Sequence, residues 1–279
     1  VLEASIHDHL FLMLEMCAYF SHIFFIKMVE TAKVWDASAM PKKPIVEIYG
    51  VVGSQPTRAV MWACAHKGLP YTLNFTMPGS KREGKGSRSD SFLADLNPNG
   101  SVPVLKDVDG FVLYESHAIL TYLADRYGWD DLYPRDLRRR AVIDQWLHWH
   151  HFGLRQVTLA LFADVVRTDL KLATDVLDMA RRRARKALRI AEAQLGKHRY
   201  LCGSTPSLAD ISAYCDVGQC REKMCNLLDF EPYPNLSRWL DDMAGLAGHD
   251  TVHNARGLQP LYAHVRKIAT ETGRLKARL

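Results

Sequence analysis

The feature that most restricts this chain is a change of hydrophobic period near residue 128. Between residues 45 and 127, short β-branched runs alternate with helical stretches; beyond Tyr127 only helical spacing remains. Strands need a sheet, and a purely helical run needs other helices to cover its apolar stripe. The chain is therefore read as an α/β layer followed by a helical one. Its 279 residues suffice for two domains at roughly 100–200 residues each. Hydrophobic residues are 48% and charged residues 24%. That composition excludes a mostly disordered chain, a collagen-like chain and a multi-pass membrane protein.

Residues 45–50 have a strand pattern, with Ile45, Val46, Ile48 and Tyr49. Residues 57–67 place Ala59, Val60, Ala63 and Cys64 on one side of a helix, which Gly68 and Pro70 end. Residues 71–75 form a second strand. Residues 78–91, rich in Gly, Ser and basic side chains, read as a mobile loop. Residues 102–106 and 111–114 are two strands joined by an Asp107–Gly110 hairpin turn, and 116–127 is a helix. Further helices are expected over 138–161, 170–195, 207–228, 235–244 and 258–270. The expected domains are 45–128 (α/β) and 129–279 (all-helical).

Residues 1–44 stand apart. Leu10 to Met28 is nineteen residues long with few polar interruptions, and Asp8, Glu15 and His22 recur every seven residues as one polar stripe. Three placements fit: a helix packed on a partner or its own domain, a membrane-embedded helix, or a helix lying on a bilayer. The run from Met40 to Pro44 holds two prolines and two lysines and reads as a linker. The chain opens on Val1, which leaves its true start open, and Glu3 and Asp8 argue against a cleavable signal peptide.

Lys and Arg total 36 against 31 Asp and Glu, and residues 129–279 carry the excess, with 24 bases and 18 acids. The densest run is Arg181-Arg182-Arg183-Ala184-Arg185-Lys186 with Arg189. It reads as a solvated face, or as a surface for anionic lipid or an acidic partner. Nucleic acid is not expected, because interleaved aromatics are missing. Six cysteines without a CxxC pair indicate reduced thiols and an intracellular location, cytoplasmic or mitochondrial. Cys215, Cys220 and Cys225 turn about 140° per step on a helix, so zinc binding is not expected.

Four segments, in order, carry a family resemblance. They are Glu47-Ile48-Tyr49 with Ser54-Gln55-Pro56-Thr57-Arg58-Ala59-Val60; Asn97-Pro98 with Val102-Pro103-Val104-Leu105; Tyr114-Glu115-Ser116-His117-Ala118-Ile119; and Ser207-Leu208-Ala209-Asp210-Ile211. Together, over about residues 45–263, they resemble the glutathione transferases, most closely the theta class. The resemblance implies a thioredoxin-like α/β domain, an all-helical bundle and, ahead of both here, an extra N-terminal helix. It implies glutathione as co-substrate, a small electrophile as its target, and conjugation, dehalogenation or peroxide reduction as the reaction. A homodimer is compatible with it. The alternative is a non-catalytic accessory subunit of a membrane-associated complex, joined through residues 1–40.

A thiol with a pKa of about 8.5 is mostly protonated at neutral pH, so the site must stabilise thiolate. By resemblance Ser54, just before a helix start, donates to it, and the helix N-terminus adds positive potential. Arg58, one turn on, either supports the site from behind or, the preferred reading, forms a structural salt bridge. Val102-Pro103 looks like the family's cis-proline step, exposing the Val102 backbone to pair with the tripeptide. Ser116 suits the γ-glutamyl carboxylate and Glu115 its ammonium. The glycine-end carboxylate needs a cation; Lys81, Arg82, Lys85 and Arg88 are available, and Arg88 is preferred. Ser101 departs from relatives that carry a basic residue there. By resemblance His148, His151 and Arg155 border the expected electrophile pocket; Arg155 either reaches toward the active site or forms a helix-surface ion pair. The two histidines lack a third ligand, so no metal is expected.

Overall fold

The structure is a computed structural model and describes residues 46–163, 172–255, 257–273 and 275–277. The expected apolar helix of residues 1–40 and the linker after it lie outside the described residues.

Strand β1 (Val46–Gly50) sits inside a four-stranded sheet. It runs parallel to β2 (Tyr71–Phe75) and antiparallel to β3 (Val104–Lys106), which pairs antiparallel with β4 (Val112–Tyr114), giving the order β2-β1-β3-β4. Val46, Ile48 and Gly50 are buried while Glu47 and Tyr49 are half-buried, the alternation of a strand covered on one face. The β3–β4 turn closes as its sequence predicts, with Gly110 N donating to Asp107 O at 3.0 Å and Gly110 at φ 86°.

Helix α1 (Gln55–His66) connects β1 to β2 and carries Pro56 in its first turn, where a missing N–H costs nothing. The loop expected to be mobile is held: Ser87 Oγ donates to Gly100 O at 2.7 Å and accepts from Gly79 N at 2.9 Å. It leads into a short helix that periodicity did not reveal, α2 (Asp90–Asp95), capped by Ser89. Helix α3 (Ser116–Tyr127) ends on left-handed Gly128.

The helical part departs from its sequence reading at one place that matters. The single helix expected over 138–161 is broken into α4 (Leu137–His150), a turn, α5 (Arg155–Val157) and a π-helical turn Thr158–Ala163. Gly153 lies at the break. A Cβ there would lie 2.7 Å from the Trp149 ring, so the indole packs directly on glycine backbone, and Gly153 N turns back to Trp149 O at 2.8 Å. Then come α6 (Thr174–Leu195) and α7 (Leu208–Val217), the latter extended by a 3-10 turn Gly218–Cys220 rather than running to 228. The last helices are α8 (Pro234–Ala244), the unforeseen α9 (His249–His253) and α10 (Leu258–Glu271).

All ten residues of α7 are buried, which makes it the axis of the molecule. A capping box starts it: Ser207 N and Oγ both donate to Asp210 Oδ2, at 2.9 and 2.7 Å. Helix α1 packs on α3, α7 and α9. Trp62, fully buried, meets Tyr214 edge-on at 5.1 Å and His253 at 4.9 Å, so the sheet layer and the helical layer share one aromatic core. No described helix is long and apolar enough to cross a membrane.

Candidate active site

A cleft of about 240 Å³ opens between the two layers. Gln55 and Pro56 come from the start of α1, Ser101 to Pro103 from the approach to β3, and Glu115 to His117 from the start of α3. His150, His151 and Arg155 come from the break between α4 and α5, and Ser212 and Asp216 from α7.

Of the residues expected from sequence, Val102, Pro103, Glu115, Ser116, His151 and Arg155 line this cleft. Ser54 stands one residue outside the lining. It caps α1, with Oγ accepting from Thr57 N at 3.4 Å, so a lone pair is used and the hydroxyl hydrogen remains to be donated. Arg88 is exposed and outside the lining; its side chain lies where a Cβ on Gly100 would fall, 2.7 Å away. The Val102–Pro103 bond is cis. Buried Asn97 shapes the approach to it, donating to Ser101 O and Oγ at 3.0 Å each and accepting from Asn99 N at 2.9 Å.

Helix α3 begins without a side-chain cap. Glu115, at its N-cap, holds φ 71°, a region a non-glycine residue rarely occupies. Ser116 is nearly buried beside uncapped backbone amides, an arrangement that favours an anion.

Arg58 corrects the sequence reading. It is fully buried and makes no salt bridge among the described residues. Its Nη1 donates to Val52 O at 2.8 Å and Gly53 O at 3.1 Å, and its Nη2 to Cys215 O at 3.2 Å and Gln219 Oε1 at 2.9 Å. The guanidinium fork ties the loop before Ser54 to α7.

The helical wall of the cleft is a polar network the sequence reading missed. Asp216 Oδ1 accepts from Arg155 Nη1 at 2.8 Å and from the Thr158 hydroxyl; Oδ2 accepts from His150 Nε2 at 2.8 Å. Arg155 Nη1 also donates to Gln55 Oε1 at 3.2 Å, and Gln55 Nε2 to Gln219 Oε1 at 3.0 Å. Burial works to raise the Asp216 pKa, but Arg155, His150 and Thr158 outweigh it and hold the carboxyl well below the usual range. His117 shares a 2.7 Å hydrogen bond with Ser212 Oγ and packs against His151 and His150, ring centroids 4.6 and 5.3 Å away. Burial first, then its histidine neighbours, push His117 down to about 2; burial likewise lowers His151. One signal for this network was legible: Asp216 lies in a run, Ile211 to Val217, otherwise composed of apolar and small residues. A carboxylate there requires partners.

Two family models match the chain: "Glutathione S-transferase, N-terminal domain" over residues 54–126 and "Glutathione S-transferase, C-terminal domain" over 174–242. Glutathione S-transferase theta-3 of Mus musculus is 33% identical over 229 residues, 77% of this chain and 92% of the relative. Glutathione S-transferase theta-1 of Bos taurus is 33% identical over 235 residues, with the same coverage. Among solved structures, the glutathione-bound theta-class transferase of Xanthomonas axonopodis pv. citri superposes with a TM-score of 0.64 at 28% identity, covering 77% of this chain and 98% of that one. An unclassified transferase of Bombyx mori gives 0.65 at 27%, covering 84% and 100%. The mixed four-stranded sheet with its helical partner, the order of the motifs and the extent of these matches agree, and the chain belongs to the glutathione S-transferase family.

Proposed function

We propose that this chain binds glutathione in the cleft and transfers its sulfur to small electrophiles. The observation that carries the reading is the start of α3: Ser116 and uncapped amides beside the Glu115 carboxylate, facing Val102 across one cleft. In this reading the γ-glutamyl carboxylate takes Ser116 and those amides, and its ammonium takes Glu115. The peptide lies along Val102, and Arg88 serves the glycine-end carboxylate from beyond Gly100. The thiol reaches the N-terminus of α1. There the Ser54 hydroxyl and the helix dipole favour thiolate. The thiolate forms the new sulfur–carbon bond and the leaving group departs with the old bond's electron pair. His151 borders the electrophile.

Ser54→Ala tests the reading. With a neutral chromogenic electrophile at pH 7, kcat/KM falls about 10²-fold, as for loss of one preorganised anion donor. Full activity in Ser54→Ala removes Ser54 from the mechanism. Glutathione also raises the wild-type melting temperature by mass action; no shift at millimolar glutathione overturns the binding site.

A further inference from the structure

We propose that Asp216 sets the charge preference of the electrophile subsite: by cancelling Arg155 it makes the cleft accept uncharged, hydrogen-bonding electrophiles and disfavour carboxylate-bearing ones. This rests on the glutathione-transfer reading above.

Among the described residues that line the cleft, Arg155 is the one arginine or lysine, and its side chain is 35% exposed. Left alone it would be an anion site. It is not alone: its Nη1 lies 2.8 Å from Asp216 Oδ1, and Asp216 is 3% exposed. Close opposite charges in a protein interior cancel each other's field at a distance while attracting strongly at contact. The same Nη1 is engaged by Gln55 Oε1 at 3.2 Å. Three donors converge on Asp216, from α4, α5 and the π-helical turn, so the carboxylate is held in place rather than free to swing away. Glu115 is taken by the glutathione ammonium in that reading, so the charge balance facing the electrophile is between Arg155 and Asp216. Two of the three histidines, His117 and His151, are held toward the neutral form by burial and present ring nitrogens as donors and acceptors. An incoming carboxylate therefore loses its hydration without meeting an uncancelled cation, whereas an ester, nitro or carbonyl oxygen finds hydrogen-bond donors.

The test uses two electrophiles with the same reacting carbon and one charge of difference, methyl 4-(chloromethyl)benzoate and 4-(chloromethyl)benzoate. In both, thiolate forms the carbon–sulfur bond and chloride leaves with the carbon–chlorine electron pair. Asp216→Asn frees Arg155, so the carboxylate-to-ester ratio of kcat/KM rises about tenfold or more, a shift of the size one unpaired charge produces. The double variant Asp216→Asn/Arg155→Gln carries neither charge and returns the ratio to within about threefold of wild type. An unchanged ratio in folded Asp216→Asn overturns the proposal. So does a tenfold fall of the ratio in the double variant, which would mean that Arg155 was a working anion site all along. If Asp216→Asn does not fold, the double variant, with no unpaired buried charge, decides. Binding of the unreactive analogues methyl 4-methylbenzoate and 4-methylbenzoate, followed by NMR titration, reads the same ratio without chemistry. No turnover of either chloride sinks the transfer reading, while the binding ratio still judges the charge assignment.

Discussion

Replacing Arg58 by methionine removes four hydrogen bonds from a fully buried guanidinium. Hydrogen bonds to a charged group contribute about 1.5–3 kcal/mol each in favourable cases. Simple addition overstates the loss, for two reasons. The carbonyls of Val52 and Gly53 are only partly buried and can recover water, and Gln219 Oε1 keeps its bond from Gln55. The guanidinium also loses its hydration on folding without a carboxylate to offset that cost, a penalty methionine does not carry. The balance is a loss of about 2–4 kcal/mol, which for a chain of this size lowers the melting temperature by roughly 2–4 °C per kcal/mol. Calorimetry of purified Arg58→Met measures it. Arg58→Lys sharpens the reasoning: it keeps the charge but cannot span four acceptors in two directions, so it loses most of the same stability. Methionine within about 2 °C of wild type, or lysine fully stable, refutes the argument that fork geometry holds the Ser54 loop to α7.

Acid sensitivity follows from the buried histidines. Above the unfolded value of about 6.5 the imidazoles are neutral in both states and contribute nothing. Below it the unfolded chain takes up protons that folded His117, with a pKa near 2, and folded His253, held well below normal by burial, refuse. Stability therefore falls from pH 6.5 downward by up to about 1.4 kcal/mol per pH unit for each; His253→Leu flattens the curve, and a stability profile level from pH 7 to 5 contradicts the assignment. Asp216, whose folded pKa is depressed, adds stability that is present above its unfolded value and lost only at more acid pH, outside that window. Asp210→Asn reverses one acceptor in a carboxylate that receives Leu201 N, Trp239 Nε1, Ser207 N and Ser207 Oγ; chemical denaturation then shows a loss of about 2–4 kcal/mol, and an unchanged midpoint with an unchanged slope would refute it.

Local chemistry made much of this protein legible from its residues. The period change near residue 128, the β-branched runs, Gly68 as a stop and the Ser207–Asp210 capping box are decided within a few residues, and the elements over 71–75 and 116–127 appear where they were expected. The Glu115–Ser116 helix start also falls where it was expected, whereas Ser54, read as standing before a helix near Thr57, is the N-cap of a helix that begins at Gln55. What depends on distant partners was not legible. Helical periodicity ran straight through 151–154, because nothing in a hydrophobic pattern announces that Trp149 will lie on the backbone of Gly153. Arg58 read as half of a structural salt bridge; only packing shows that its partners are the oxygens of nearby Val52 and Gly53 and of Cys215 and Gln219, 157 and 161 residues away. Arg155 read either as an arginine reaching toward the active site or as half of a helix-surface ion pair. Its charge was committed elsewhere by Asp216, a residue 61 positions away that only the tertiary fold brings to it. A sequence states which charges exist, and the folded chain decides which of them remain uncancelled.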